Sequence, residues 1–452
     1  MKKILLALCF VSVSIASHAQ TWSEQATGFS TPTRGLSEIK IVDANTVWAT
    51  AYDGATTTNN IQEFTRTIDG GANWITGTIN VGNTAFQIGN LTAVSATNAW
   101  VSAFNTTTGG GGVWNTTDGG ATWNQQNATG FTGASSWCDG VHFFDANIGI
   151  AFGDPLTTQF EVYRTTDGGA NWTTVSTPTI TTGDYGYSGS FATYGDSMWF
   201  TTAKGKIYRT TDKGATWVKL NSPIADFGAG LTTTSSGKLY FSDTNNGIII
   251  GSTISGTGTT ATVTGRTIYR TTNGGTTWSA GVAYTQPYNS SIAYVPGTLI
   301  LVGIGATVSG TTTTYSSAYS LDNAATWTQI DSGTQRTVVA VLDGTTAWAG
   351  GFNSDPFTKG IYKLSANLSK QIFTSSKNFI VAPNPVSSVL TISSTNGNDY
   401  SIKVADLSGK IVIEKSLNGF ENNVDVSSLT TGAYLVTLST DKATETIKIL
   451  KN

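Results

Sequence analysis

Cysteine and histidine are nearly missing from this chain of 452 residues, with two of each. Cys9 and His18 fall in an apolar leader, so a processed chain keeps only Cys138 and His142. That excludes an intramolecular disulfide and leaves no readable metal constellation. Cys138 reads as a buried small side chain and His142 as a packed or channel-lining residue on an inner strand. Charge is also scarce. Only 12% of residues are Asp, Glu, Lys or Arg, and the net charge is -3. No basic patch offers an electrostatic basis for nucleic-acid binding. No apolar run approaches the 18–20 residues of a membrane span. Abundant Gly, Thr, Ser and Asn instead fit many short strands joined by turns.

The longest apolar run is informative. Lys2 and Lys3 precede Ile4 to Ile15, and Ser17-His18-Ala19 supplies small residues before a cut. Residues 1–19 therefore read as a secretory signal, leaving Gln20 first.

The dominant feature is a repeat, S/T-x-D-x-G-x-x-W. It reads TIDGGANW at Thr67–Trp74, TTDGGATW at Thr116–Trp123, TTDGGANW at Thr165–Trp172 and TTDKGATW at Thr210–Trp217. The fifth copy, at Thr271–Trp278, has Asn273 for Asp, and the sixth, at Ser320–Trp327, has Ala324 for Gly. An Asp followed by glycines marks a tight turn whose backbone N–H groups the carboxylate accepts. A β-rich run precedes each copy and a Trp anchors the strand beyond it, which predicts a hairpin. Successive Trp residues from Trp74 lie 49, 49, 45, 61 and 49 residues apart. That all-β period is the length of a four-stranded propeller blade. A second hairpin precedes each copy, as in Gly140 to Phe152 around Asp145-Ala-Asn147. Trp22 sits one period before Trp74 without a box. Its strand is expected to complete the last blade, formed by residues near 335–365, and so to remove the exposed edges. The predicted fold is all-β: a seven-bladed β-propeller over 20–372, a linker at 373–378, and a small Ig-like β-sandwich over 379–452.

These boxes resemble the Asp-box (BNR) repeats of sialidases, sortilin-type receptors and photosystem II assembly factor-like propellers. The phrase from Trp137 to Pro155 and the segment Arg34-Gly-Leu-Ser-Glu38 also look like a group of secreted bacterial propellers. The C-terminal stretch resembles the sorting domain of the type IX secretion system. Pro383-Asn-Pro385, the turn Asp406-Leu-Ser-Gly-Lys410, Leu429 to Tyr434 and the terminal Lys-Ile-Leu-Lys carry that likeness. It implies a Bacteroidota-type cell, the secretion machinery as partner, and a secreted or cell-surface location reached through the periplasm.

Blade topology separates two ends. The box turns share one end with the turn between the first two strands, and the longer loops share the other. Asp69, Asp118, Asp167, Asp212, Asn273 and Asp322 are therefore expected to be structural. The arginines before the boxes (Arg66, Arg164, Arg209, Arg270) are expected to be solvated or cross-strand residues. Arg34, Glu38, Trp137, Tyr185, Tyr187, Arg336 and Asp355 are the expected ligand-binding residues on the loop end. Asp139 and Asp154 are the candidate catalytic carboxylates, weighed against simple turn formation. Sialidase chemistry is disfavoured, since only Arg34, Arg266 and Arg336 of seven arginines lie away from boxes. The sequence reads as a binding or interaction propeller for a glycan or protein. A glycoside hydrolase is the alternative, an assembly factor the third reading, and neither cofactor nor metal is called for.

Overall fold

Why the box forms a hairpin is visible in its hydrogen bonds. The computed structural model describes residues 20–452 except 57–58, 127–129, 134–135, 229–234, 257–260, 366–367, 369–378, 395–398 and 441–443. The leader at 1–19 and the linker at 373–378 lie outside the described residues. In the first box the Thr67 hydroxyl donates to Asp69 Oδ1 at 2.8 Å and accepts from Gly71 N–H at 2.9 Å. Asp69 also accepts from the Asn73 N–H at 2.9 Å and the Asn73 side-chain amide at 2.7 Å. These bonds hold the Asp69 carboxyl down to about 2, the Asn73 side chain contributing most. Gly70 and Gly71 sit at φ 71° and 90°, a conformation a Cβ disfavours. Asn273 keeps the architecture with reversed polarity: its Oδ1 accepts from Thr277 N–H, and its Nδ2 donates to the Thr277 hydroxyl at 2.8 Å. The sixth box has no glycine, and Asn323 and Ala324 take φ 57° and 64° instead.

Two compact units result, Met1–Ala366 and Asn367–Asn452. In the first, the described strands form five four-stranded antiparallel sheets and one eight-stranded sheet. The latter is two groups of four joined at a single pair, Gly35 opposite Phe352. Each group runs from an inner strand to an outer one in chain order. The last group is the exception. Its strands Val338–Val341, Thr346–Asp355 and Thr358–Ser365 are completed by Thr21–Ala26 from the N-terminus, with Trp22 opposite Leu364. The period of Trp22 foretold this placement.

Apolar cores lie between neighbouring groups. Phe143 of the third group stacks on Trp100 of the second at 3.6 Å, and Phe241 of the fifth on Trp199 of the fourth at 3.8 Å. Leu36, Ile39 and Val47 of the first group share a core with Trp348 and Ile361 of the last. Box tryptophans Trp123, Trp172 and Trp217 are buried in these seams.

The arginines before the boxes do more than face solvent or a cross-strand neighbour, although Arg66 also lies 5.3 Å over the ring of its cross-strand partner Trp48. Each reaches over the seam to the box turn of the next group. Arg66 Nε donates to Gly119 O at 2.9 Å, and Arg164 Nε to Lys213 O at 2.8 Å. Arg209 donates to Gly274 O at 3.1 Å, and Arg270 donates twice to Asn323 O, at 3.1 and 2.9 Å. Lys363 of the last group reaches Gly70 O at 2.8 Å. The reason is geometric. The box turn leaves carbonyls unpaired, and a guanidinium on the adjacent outer strand supplies the missing donors.

The second unit has a three-stranded sheet (Phe379–Ala382, Val389–Ser394, Glu421–Asp425) and a four-stranded sheet (Tyr400–Asp406, Ile411–Leu417, Gly432–Ser439, Thr444–Lys451). Both sheets feed one core, with Leu390, Ile392 and Val424 from the first meeting Ile402, Val436 and Ile449 from the second. Asn384 pins the final strand, accepting from Leu450 N–H at 2.7 Å and donating to Lys448 O at 3.0 Å.

Replacing Arg270 with Ala removes a charged donor from a part-buried carbonyl. We expect a loss of about 1.5–3 kcal/mol of unfolding free energy in denaturant titration of the full chain, with native far-ultraviolet dichroism retained.

Candidate functional site

In each of the six groups that carry a box, the box turn bonds to the turn between the two inner strands, as in Gly168 N–H to Asn147 O at 2.9 Å and Gly274 N–H to Asn245 O at 2.9 Å. Those turns share one end, and the longer loops occupy the other. At the loop end, the structure brings five of the sequence-derived residues together across the third and fourth groups: Trp137, Asp139, Asp154, Tyr185 and Tyr187.

Three glycines make this possible. Asp154 ends the strand Gly149–Pro155, and its N–H donates to Trp137 O at 3.2 Å. A Cβ on Gly153 would stand 1.7 Å from that carbonyl, so only glycine fits. A Cβ on Gly186 would stand 2.4 Å from Asp139 Oδ2 and 3.7 Å from Asp154 Oδ1. Both carboxyls thus converge on one glycine of the fourth group. Gly186 N–H donates to Asp154 Oδ1 at 2.7 Å, the Ser188 hydroxyl to Asp139 Oδ1 at 3.0 Å, and Gly189 N–H to Asp139 O at 3.0 Å.

Asp139 is 4% exposed, and its buried Oδ2 has no hydrogen-bond partner. Burial, then the neighbouring Asp154, pushes its carboxyl well above the usual range. Asp154 is raised to about 6, by burial first, with the Gly186 N–H opposing and Asp184 adding repulsion. Two carboxyls this close titrate as a coupled pair. The two oxygens are closer than the about 6.5–9.5 Å an inverting glycoside hydrolase leaves for its water. Asp139 is also too enclosed to touch a sugar, as a retaining pair requires.

Aromatic residues are chain neighbours of the groups that hold the pair: Tyr185 and Tyr187 on either side of Gly186, and Trp137 through its carbonyl. Tyr185 is 43% exposed, with its ring 5.3 Å from that of Tyr187. The Tyr187 hydroxyl donates to Asp226 at 2.8 Å. Trp137 packs edge-on against Phe104 at 5.6 Å. Asp184 accepts from Thr202, Lys204 N–H and Tyr185 N–H. Asp184 and Asp226 were not singled out from sequence. The signal available was their position beside aromatic or glycine residues in the loops that enter two inner strands.

The remaining candidates sit elsewhere. Arg34 is spent on Glu63 in a two-pronged pair, at 3.0 and 3.1 Å, with Asp53 at 4.0 Å. Arg336 is buried. It pairs with Asp331 at 2.9 and 2.7 Å and lies 4.8 Å from the ring centres of both Trp22 and Tyr362. It anchors the N-terminal strand and does not face solvent. Asp355 caps a turn through Phe357 N–H at 2.8 Å. Glu38 does not join the loop-end cluster. It turns along the inner strand Arg34–Ile41 to accept from Leu91 N–H of the second group at 2.6 Å. Burial raises it to about 7. Lys40, two residues on, and His142 are both lowered by burial, and Lys40 further lowers His142. Burial likewise pushes the Cys138 thiol well up, which suppresses the thiolate. Among the described residues no cluster of His, Cys, Asp and Glu is arranged to hold a metal.

The raised Glu38 carboxyl has a pH consequence. The folded state holds its proton between about 4.5 and 7, where the unfolded chain has released it. Stability therefore falls as pH rises through that window and is level above it. Glu38→Gln keeps an acceptor for Leu91 N–H. We expect it to flatten the fall and to gain about 1–3 kcal/mol at pH 8, read from denaturant titrations at pH 5 and 8.

Residues 380–452 match the family described as the secretion system C-terminal sorting domain. No curated protein matches the chain. Among solved structures it resembles YCF48 bound to D1 peptide, with 14% identity and a TM-score of 0.50 over 78% of this chain and 96% of that one. YCF48 from Cyanidioschyzon merolae gives 14% identity and 0.50 over 76% and 98%. A GH74 xyloglucanase from Xanthomonas campestris gives 12% identity and 0.46 over 83% and 59%. The likeness to YCF48 is one of fold, all-β and propeller-like. Among the described residues no helix is long and apolar enough to cross a membrane. The sorting domain marks the chain for export by type IX secretion, to the cell surface or beyond the cell.

Proposed function

We propose that this protein is an exported binding propeller that holds a glycan or a protein partner on its loop end. In this reading residues 20–372 form seven blades, each one four-stranded group, and residues 379–452 form an Ig-like sandwich read by the secretion machinery. The observation that carries the binding assignment is the half-exposed Tyr185, next in the chain to the Gly186 whose N–H binds Asp154, while the second carboxyl of the pair is buried. Rings of this kind stack on sugar faces or enter protein interfaces. Asp154 supplies an acceptor for a ligand hydroxyl or amide, and Tyr187, fixed by Asp226, sets the position of Tyr185. Asp139 is a positioning residue that holds the third and fourth groups in register.

The hydrolase reading has one observation in its favour, two adjacent carboxyls with raised pKa, the pattern of acid–base pairs. Burial of Asp139 weighs against it. A panel of glycans and polysaccharides, scored together for binding and for release of reducing sugar, separates the two readings. Binding without release is expected, weakened at least fivefold by Tyr185→Ala. Release that Asp154→Asn abolishes would replace the binding module with a hydrolase. Neither binding nor release would direct the search to protein partners, through capture by the immobilised chain with Tyr185→Ala as the control.

A further inference from the structure

Four Asn-Gly pairs occur in the chain, at Asn246, Asn273, Asn396 and Asn418. Such a pair can react with itself. The glycine nitrogen attacks the side-chain amide carbon, and glycine has no Cβ to hinder the approach. Asn396 lies outside the described residues. The other three stand in different surroundings. Asn273 is locked in the fifth box. Its Oδ1 accepts from Thr277 N–H at 2.9 Å and from the Thr271 hydroxyl at 3.0 Å, and its Nδ2 donates to the Thr277 hydroxyl at 2.8 Å. Gly274 N–H is spent on Asn245 O at 2.9 Å. Asn246 donates its amide to Asp243 Oδ2 at 2.8 Å. Gly247 opens the strand Gly247–Ser255, paired with Phe241 on one side and Thr271 on the other. Asn418 is exposed, and its side-chain amide bonds to none of the described residues. Neither does Gly419 N–H. Gly419 takes φ 81°, and a Cβ there would meet nothing within 4 Å. The reacting groups are therefore unclaimed in this pair and held by other partners in the other two.

The pair also sits at a crossover. It leads from the strand Ile411–Leu417 of the four-stranded sheet to Glu421–Asp425 of the three-stranded one. Asn422 Nδ2 donates to Asn418 O at 2.7 Å and to the Tyr400 hydroxyl at 3.1 Å. Phe420 O accepts from Ser394 N–H at 2.7 Å. These bonds tie the crossover through its carbonyls and leave the Asn418 side chain free.

We propose that Asn418 is a site of spontaneous deamidation. Solvent base takes the Gly419 N–H proton, the nitrogen bonds to Asn418 Cγ, and the Cγ–Nδ2 bond breaks. The leaving nitrogen takes a proton from water and departs as ammonia. Water then opens the cyclic imide. Attack at Cγ gives aspartate, and attack at the main-chain carbonyl gives isoaspartate, whose chain runs through the former side chain. Water is the only reactant consumed. Both products add a negative charge to the sorting domain. Isoaspartate also adds one main-chain carbon between the strands that the crossover joins. The inference is independent of the loop-end reading, since it concerns only the C-terminal unit.

The test is peptide mass spectrometry of the full-length processed chain after incubation at pH 8, with pH 5 as the reference. Isoaspartate is scored by methylation with an isoaspartyl methyltransferase. In the folded chain Asn418 converts about tenfold or more faster than Asn246 and Asn273, as expected where the fewest bonds hold the reacting groups. It converts faster at pH 8 than at pH 5. In denaturant the three rates converge, because the fold and not the dipeptide separates them. Asn418→Gln removes the signal from its peptide. The proposal is overturned if Asn418 keeps its amide, if Asn246 or Asn273 converts as fast in the folded chain, if the lead of Asn418 survives unfolding, or if the signal persists in Asn418→Gln.

Discussion

A four-stranded sheet has two faces and two edges and cannot bury them alone. Everything in the larger unit depends on sealing one sheet against the next. Apolar stacking does most of this, through pairs such as Trp100 on Phe143 and Trp199 on Phe241. Stacking is tolerant of sliding, however, and the hydrogen bonds across the seam fix the register. Arg66, Arg164, Arg209, Arg270 and Lys363 each engage the next box turn. Indole N–H groups repeat the device, with Trp48 on Ser95 O, Trp100 on Gly168 O and Trp199 on Gly274 O. The box is thus both a turn and a socket. Its Asp organises the loop so that its carbonyls face the neighbour.

The inner strands use the same principle with different chemistry. Glu38 takes Leu91 N–H, Asn90 takes Val141 N–H at 2.8 Å, and Ser291 takes Val339 N–H at 3.2 Å. At the third seam Asp139 does this work with Gly189 and Ser188 of the fourth group. This seam role accounts for the burial of Asp139 and its raised pKa without calling on catalysis. Its neighbour Asp154 inherits the electrostatic consequence and stands closer to the loop surface. The proposed binding site would grow out of a seam that structural carboxyls and loop segments with aromatic residues share.

Much of this was legible in the sequence. The boxes gave the hairpins, their period gave the repeat, and Trp22 one period early gave the N-terminal strand its place. The C-terminal unit was recognisable from a few short segments, and Asn384 shows why one of them matters: it holds the final strand. Seam partners were not legible. Arg34 meets Glu63 29 residues away, and Asp154 meets Gly186 32 residues away. No local pattern reports such distances. The recurrence of Arg one residue before the box was a usable signal, since a merely solvated residue has no reason to repeat in register. Arg336 looked like a surface cation because its aromatic partner, Trp22, lies at the far end of the chain.

The claim at the centre of this account is that Asp139 is a protonated seam residue and not half of an ionised catalytic pair. Carboxyl carbon-13 chemical shifts followed by pH titration, with assignment through Asp139→Asn and Asp154→Asn, test it directly. The account predicts that Asp139 keeps its proton through neutral pH while Asp154 titrates near 6. Two carboxyls both ionised by pH 5 would contradict it, and would mean that water and substrate reach Asp139 after all.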